Sequence, residues 1–470
     1  MPLSPDAIVS GLVALLGPDS VVAEPARMTS YLAEPRRRFH APATAVALPR
    51  TVAQVQAIAR WANEYRVPLI PQGGNTGLVG GQVPLAGNEV IVSLNRLDAV
   101  RAVDPVGNTM TLEAGVTLQA ARQIADDAER LFPLFIASQG SARIGGVLSS
   151  NAGGVQVLAY GNARELCLGV EAVLADGSLY QGLNALRKNN TGYDLKDLLV
   201  GAEGTLGLIT AATLKLFPRP EGHETALVNV SGPEAALALF SLVSERAGTT
   251  LTAFELMPRI GFDFQLAHSM IPHDPAADIS PWYALVEISV PRGGADGVLA
   301  GALEAAFESG LISNAAIADS EAQREAMWLV REQMSEVQSR EGASIKHDVS
   351  VPVAKVPELI ARGVAEAERL VPGIRPVPFG HLGDGNIHFN FSQPAGTSAP
   401  AFMDGAEPIH AAIYAIVADL GGSISAEHGI GQLKTTLLAE VQDPVALAMM
   451  RAIKSALDPN GILNPGKVLR

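Results

Sequence analysis

The sequence predicts a mixed α and β protein of two or three domains, and three observations carry that reading. A chain of 470 residues exceeds what one core ordinarily serves. Up to about Pro220 it is dense in glycine, and short β-like runs alternate there with helix-like ones. Beyond "PRPEG" (Pro218–Gly222), which reads as a linker, longer helical stretches take over, separated by apolar strands.

In chain order, "TVAQVQAIARWANEY" (Thr51–Tyr65) and "TLQAARQIADDAERL" (Thr117–Leu131) read as helices, each opened by a threonine able to cap it. "EVIVSL" from Glu89, "TMTLEAGV" from Thr109, "GVEAVLADG" from Gly169 and "LGLITAATLKLF" from Leu206 read as strands. In the second half, "SEAQREAMWLVREQMSEVQSR" (Ser320–Arg340) reads as a long helix, and "YALVEISV" and "SIKHDVSVPV" as strands. No repeat at solenoid spacing is present.

Composition narrows the function. Apolar residues make up 48% of the chain and charged residues 17%, enough for a large core and no long disordered stretch. A net charge of −14 repels nucleic acid and anionic membrane surfaces, so neither is an expected partner. The start, "MPLSPDAIVS", lacks the basic and apolar regions of a signal peptide. No run reaches the roughly 18 apolar residues that span a bilayer. The expectation is a soluble, cytoplasmic protein, not an integral membrane one. Cys167 is the only cysteine, which rules out an intrachain disulfide and a thiolate metal site. The basic stretch "PRRRFH" (Pro35–His40) reads as a solvated loop.

Three glycine-rich loops lie in the first half: "PLIPQGGNTGLVGGQVP" (Pro68–Pro84), "QGSARIGGVLSSNAGG" (Gln139–Gly154) and "GAEGTLGLIT" (Gly201–Thr210). Glycine tolerates positive φ and lets backbone N–H groups approach an anion. One such loop is usually only a turn. Three, each with small polar residues, indicate a long phosphate-bearing cofactor. No G-x-G-x-x-G occurs, so a Rossmann site is unsupported. The terminal "GILNPGKV" imitates a P-loop, but Val468 replaces the required Ser or Thr and two residues cannot form the helix that must follow.

In "FGHLGDGNIHFNF" (Phe379–Phe391), strand alternation puts Asn386, His388 and Asn390 on one face and Ile387, Phe389 and Phe391 on the other, toward a core. The Gly-Asp-Gly turn can fold His381 back over the same polar face. Two converging imidazoles make a divalent metal site when an anionic group joins them, and "SISAEHGIG" (Ser423–Gly431) offers Glu427 beside His428. Such nitrogen and oxygen ligands without thiolate suit Zn²⁺, with Mn²⁺ and Fe²⁺ as alternatives. An isolated histidine would more often be a hydrogen-bonded core or turn residue.

Six stretches in order, "PQGGNTGLVGG", "IGGVLSSNAGG", "LRKNNTGYDLKDLLVGAEGTLGLIT", "PFGHLGDGNIHFNF", "AEHGIG" and "LNPGKVL", resemble the vanillyl-alcohol oxidase/p-cresol methylhydroxylase superfamily of FAD proteins, and within it the D-2-hydroxyacid dehydrogenases. The resemblance runs from about Leu48 to Arg470. It implies an α+β fold: a two-subdomain FAD-binding domain of the p-cresol methylhydroxylase type over 1–220, an antiparallel-sheet substrate or cap domain over 221–422, and a C-terminal segment over 423–470 that returns to the flavin.

Carried over residue by residue, the resemblance places FAD on Gln72, Gly73, Gly74, Asn75, Thr76 and Gly77, then on Gly140, Ser141, Gly145, Gly146, Ser149 and Asn151. Gly204, Ile209 and Asn464 would lie near the flavin. Covalent relatives carry histidine where Asn75 stands, so noncovalent FAD is expected. The resemblance also names His381, His388 and Glu427 as metal ligands. Arg331, Ser335 and Lys346 resemble a carboxylate-binding set, with serine where the family has threonine, and Asn390 shares the polar face.

A flavin accepts the C2 hydride of a 2-hydroxyacid at N5, but the hydroxyl proton must also leave. A divalent ion beside the hydroxyl lowers its pKa, and His428 next to Glu427 is the expected base. The alternative role for His428 is to orient Glu427. The expected reaction is D-2-hydroxyglutarate to 2-oxoglutarate. The alternatives are a D-lactate, D-malate or glycolate dehydrogenase and, in another class, a non-catalytic flavoprotein that relays electrons. The family implies an electron-transfer flavoprotein or a quinone as acceptor, and a homodimer is the expected assembly.

Overall fold

Thr51 and Thr117 start the two helices expected of them. Thr51 accepts the Gln54 N–H at 3.2 Å and Thr117 the Ala120 N–H at 3.0 Å. In this computed structural model, which describes residues 3–294 and 297–470, the helices run Val52–Tyr65 and Leu118–Asp127. The second stops short of the expected Leu131. Glu129 takes a left-handed φ of 54°, and Arg130–Leu131 pairs instead with Phe217–Pro218.

The chain divides into two compact units. The first comprises residues 1–154, 161–219 and 427–470, the second 155–160 and 220–426. A four-stranded sheet in the first unit has the order Val21–Val22, Ala45–Ala47, Val90–Ser93, Leu69–Gln72. Its last three strands are parallel, and the helices Pro5–Leu16 and Val52–Tyr65 share its core. Leu69 donates its N–H to Ile462 and accepts the Asn464 N–H, both at 2.8 Å, so the C-terminal residues are hydrogen-bonded to this sheet. The other sheet is five-stranded and antiparallel, ordered Val100–Asp104, Thr109–Glu113, Leu208–Lys215, Cys167–Val173, Leu179–Gln181. The two sheets together contain the four β-like runs read from the first half, "EVIVSL" in the four-stranded one and the other three in the five-stranded one. The "PRRRFH" stretch is an exposed loop, its turn organised by the buried Glu34 carboxylate, which accepts the backbone N–H groups of Arg36 and Arg38.

Among the described residues the second unit is built on one eight-stranded antiparallel sheet. Its centre is Gly222–Val230, Trp282–Val290, Leu251–Pro258, Arg375–His381 and Asn386–Ser392. Alternation along these strands feeds two separate cores. On one face, Phe254, Val286, Ile387, Phe389 and Phe391 pack under the helices Pro233–Ala247, Val356–Leu370 and Ala406–Asp419. On the other, Met257, Leu285, Val377 and Phe379 pack under Arg259–Ala267 and Glu321–Arg340. The expected strand from Ser344 appears as Ser344–Ile345 and Asp348–Ser350, both on Asn386–Ser392 in one unbroken register. No described helix is long and apolar enough to cross a membrane.

Phe389 is fully buried, and its ring sits where a Cβ on Gly363 would lie 2.6 Å from it. Phe389→Ala should therefore cost about 3–5 kcal/mol, and Phe389→Leu clearly less. Calorimetry would read this as an earlier melting of the second unit. A wild-type melting profile for the alanine variant contradicts the assigned core.

Candidate active site

In the first unit the three glycine loops line one cavity of ≈ 960 Å³, counting its part open to solvent. The lining includes Gln72, Gly73, Gly74, Asn75, Thr76 and Gly77, then Gly145, Gly146 and Ser149, then Gly204 and Ile209, with His428 from the C-terminal segment. Four expected cofactor residues lie outside the lining and build its frame. Ser141 presents its carbonyl oxygen 1.8 Å from where a Cβ on Gly74 would sit, so only glycine lets these two loops touch. Gly140 borders Gln119, and Asn151 accepts the Arg164 N–H at 2.9 Å. Asn464 donates to the carbonyls of Gly81 at 3.0 Å and Glu203 at 2.7 Å.

The cavity's chemistry fits a phosphate-bearing cofactor. A Cβ on Gly146 would meet nothing within 4 Å, so this loop turns bare backbone toward the cavity. Arg143, which sequence reasoning missed, lines the same wall. Its Nη1 donates to the Gly115 carbonyl at 2.8 Å, while its buried Nε has no hydrogen-bond partner among the described residues. Asn75 spends its amide on the carbonyls of Ser30 and Ala33, both at 2.9 Å. Glu203, also missed, lines the cavity too. Burial pushes its carboxyl up, against the pull of the Ile430 and Gly431 amides and of Lys434 and Lys467.

In the second unit, strand register assembles the polar face. Glu255 pairs with His381 and His381 with Asn386, Phe379 with His388 and His388 with Asp348. Cross-strand partners share a face, so these side chains form transverse rows. Ile345 opposes Phe391 and Asp348 opposes His388, and the same register sets Lys346 across from Asn390. The turn after His381 is closed by Gly385 at φ 83°. The His381 and His388 rings stand 5.7 Å apart, with a nitrogen of each within 4.8 Å of the other's. Nδ1 of His381 is 2.5 Å from Glu255, and Nδ1 of His388 is 3.9 Å from Asp348. Asn390 is buried, and its Oδ1 has no hydrogen-bond partner among the described residues.

The helix Glu321–Arg340 lays Arg331 over this face. Arg331, expected in a carboxylate-binding set, is already partly engaged by protein groups. It is buried, ion-paired through Nε to Glu255, and stacked 4.9 Å over the Phe379 ring. Its Nη2 lies 3.5 Å from His381 Nε2. Ser335, one turn further, accepts from Lys346 Nζ through its hydroxyl at 3.0 Å and its carbonyl at 2.8 Å. Burial alone would raise the Glu255 carboxyl, but the Arg331 and His381 charges outweigh it and hold it down to about 2. The signal for Glu255 was present: it is the lone charged residue in the strand "LTAFELMP". Glu427 and His428, both half-buried, open the segment that belongs to the first unit.

The family description "FAD linked oxidases, C-terminal domain" matches residues 219–468, and "FAD binding domain" matches 43–182. D-2-hydroxyglutarate dehydrogenase of Xanthomonas citri pv. viticola is 36% identical over 445 residues, covering 95% of this chain and 93% of its own. The mitochondrial D-2-hydroxyglutarate dehydrogenase of Rattus norvegicus is 36% identical over 454 residues, covering 96% and 83%. Substrate-bound p-cresol methylhydroxylase superposes with a TM-score of 0.77 at 18% identity, covering 98% of this chain and 96% of that one. The chain thus belongs to the FAD-linked oxidases, with the two-domain fold of p-cresol methylhydroxylase and FAD as cofactor. Within that class it is a member of the D-2-hydroxyacid dehydrogenase family that holds its D-2-hydroxyglutarate dehydrogenase relatives.

Gly74→Ala should yield a colourless protein, because its methyl group would collide with the Ser141 carbonyl and part the two loops. Absorbance near the flavin bands, against protein concentration, reads the loss. Full flavin content in this variant contradicts the loop contact.

Proposed function

We propose that the protein oxidises D-2-hydroxyglutarate to 2-oxoglutarate with noncovalent FAD and a divalent metal, most simply Zn²⁺, and passes the electrons to an external acceptor such as an electron-transfer flavoprotein or a quinone. The observation that carries the reading is the polar sheet face: two histidines side by side, flanked by Arg331 and by Lys346 across from Asn390. The relatives' names supply the substrate.

The histidines are prepared as ligands. His381 turns Nδ1 to the buried Glu255 carboxylate, which orients the ring and leaves Nε2 as the ligating edge, and His388 Nδ1 lies 3.9 Å from the buried Asp348 carboxylate. Glu427 is the proposed anionic ligand. Ser423, four residues earlier, is anchored to Ser350 by paired backbone hydrogen bonds of 2.8 and 3.2 Å, two residues from Asp348. A divalent cation there supplies Lewis acidity toward the substrate hydroxyl. Bound FAD supplies the hydride acceptor for C2.

The chain's own groups do the rest. Arg331 lies beside His381, so a carboxylate it grips is held next to the metal position. Lys346, steadied by Ser335, adds a point charge for a second carboxylate. Asn390 brings a buried amide oxygen with no hydrogen-bond partner among the described residues to the same row. His428 follows Glu427 directly, so the loop that places the ligand also brings the imidazole that takes the hydroxyl proton. Asn75, whose amide nitrogen donates to two carbonyls, forms no covalent link to the flavin.

Prolonged chelation, or His388→Ala, should abolish turnover while the yellow flavin stays bound, since the flavin loops lie in the other unit. Metal analysis and the visible spectrum read the two effects separately. A verified metal-free sample with full activity contradicts the metal.

Lys346→Ala should cut kcat/KM for D-2-hydroxyglutarate by roughly 30-fold or more, the cost of about 2 kcal/mol for losing a charge partner. Arg331→Ala should lower both activity and melting temperature, because it also strands the Glu255 carboxylate in the core. Wild type should prefer D-2-hydroxyglutarate over D-lactate by orders of magnitude in anaerobic flavin reduction. Equal rates would transfer the assignment to a monocarboxylate enzyme, and no reduction by any hydroxyacid would leave only an electron relay.

A further inference from the structure

One buried carboxylate in the first unit gathers segments far apart in sequence. Glu203 holds a left-handed backbone, φ 51°, between Gly201 at 84° and Gly204 at 72°. Its Oε1 accepts the Ile430 N–H at 2.7 Å and its Oε2 the Gly431 N–H at 2.8 Å. Its own carbonyl accepts from Asn464, which also reaches Gly81.

The loop so held is confined from the other side as well. Val79 accepts the backbone N–H groups of Gln432 and Leu433 at 3.0 and 3.2 Å. Glycine is required just before the clamp and at its second position. A Cβ on Gly429 (φ 80°) would lie 2.7 Å from Glu203 Oε1, and one on Gly431 (φ 52°) 2.2 Å from the Val79 carbonyl oxygen. His428 lines the cofactor cavity just before this clamp.

We propose that Glu203 is the positioning residue of His428: by binding two successive amides of residues 430 and 431 it fixes where on the cavity wall the imidazole stands. Only a carboxylate of this length serves. Glutamine has one acceptor and would oppose its NH₂ to the other amide, and aspartate is one methylene short. The proposal rests on the reading of His428 as proton acceptor.

A double-mutant cycle on the holoenzyme tests it, using the rate of anaerobic flavin reduction by D-2-hydroxyglutarate. Glu203→Gln should keep its flavin and its metal, show faster hydrogen exchange in the peptide spanning 428–434, and reduce its flavin ~10- to 100-fold more slowly with little change in KM. In a His428→Ala background the same change should alter the rate less than about twofold, because the group being positioned is gone. An undiminished Glu203→Gln effect in that background overturns the proposal. So does a wild-type rate and exchange pattern in Glu203→Gln when His428→Ala alone is slow. Loss of fold in both Glu203→Gln and Glu203→Ala also overturns it, leaving a scaffold role only. Full activity in His428→Ala instead overturns the reading of the base.

Discussion

The Glu255 carboxylate is the constraint on which the second unit's site depends. It is fully buried on a central strand, where an ionised carboxylate is tolerable only with partners. It has two, the Arg331 guanidinium and the His381 imidazole, one from each oxygen. Those partners are the residues proposed to hold substrate and metal. The requirement to compensate one buried charge therefore fixes the geometry between them. Neither can swing away without leaving charge unpaired in the core, a penalty of several kcal/mol. The arrangement also limits Arg331: part of its charge is already answered, so a second cation at Lys346 has work to do.

Register comes next. His381, His388 and Asn390 face the site only because the strands Arg375–His381 and Asn386–Ser392 pair as they do across the Gly385 turn. A slip of one residue would send the histidines into the core of Phe389 and Phe391 and those rings into the site. The apolar parity thus helps to build the candidate site, since burial of Ile387, Phe389 and Phe391 holds the polar residues on the opposite face.

Features set by local rules were legible in the sequence. Threonine caps, the alternation in "NIHFNF" and the density of small residues in the glycine loops each act within a few residues of themselves. The long helix opened at Ser320 as read, with its hydroxyl accepting the Gln323 N–H at 3.3 Å. What stayed hidden was set by distant partners. Glu255 meets Arg331 across 76 residues and His381 across 126, and no spacing rule joins them. Arg143 looked like one more polar loop residue, and Glu203 like part of a turn, until the chain brought Gly115 and residues 430–431 to them. The early end of the helix after Asp127 belongs here as well, since it answers to a strand pair with Phe217–Pro218.

The first unit is not continuous: its opening 154 residues wait for residues 427–470 to join them. A ribosome makes protein from one end, and domains ordinarily fold as they emerge. Here most of the cofactor cavity is synthesised early, but Glu203 receives its two amides, and the cavity its His428 wall, only after more than 200 further residues have been made. During that interval the second unit, which closes with Ala426, can fold first. Assembly is thereby ordered in time. A nascent chain stalled before residue 427 would carry the glycine loops without the segment that completes them, and a truncated product would be expected to bind flavin weakly and be recognised as unfinished by the cell's proteases.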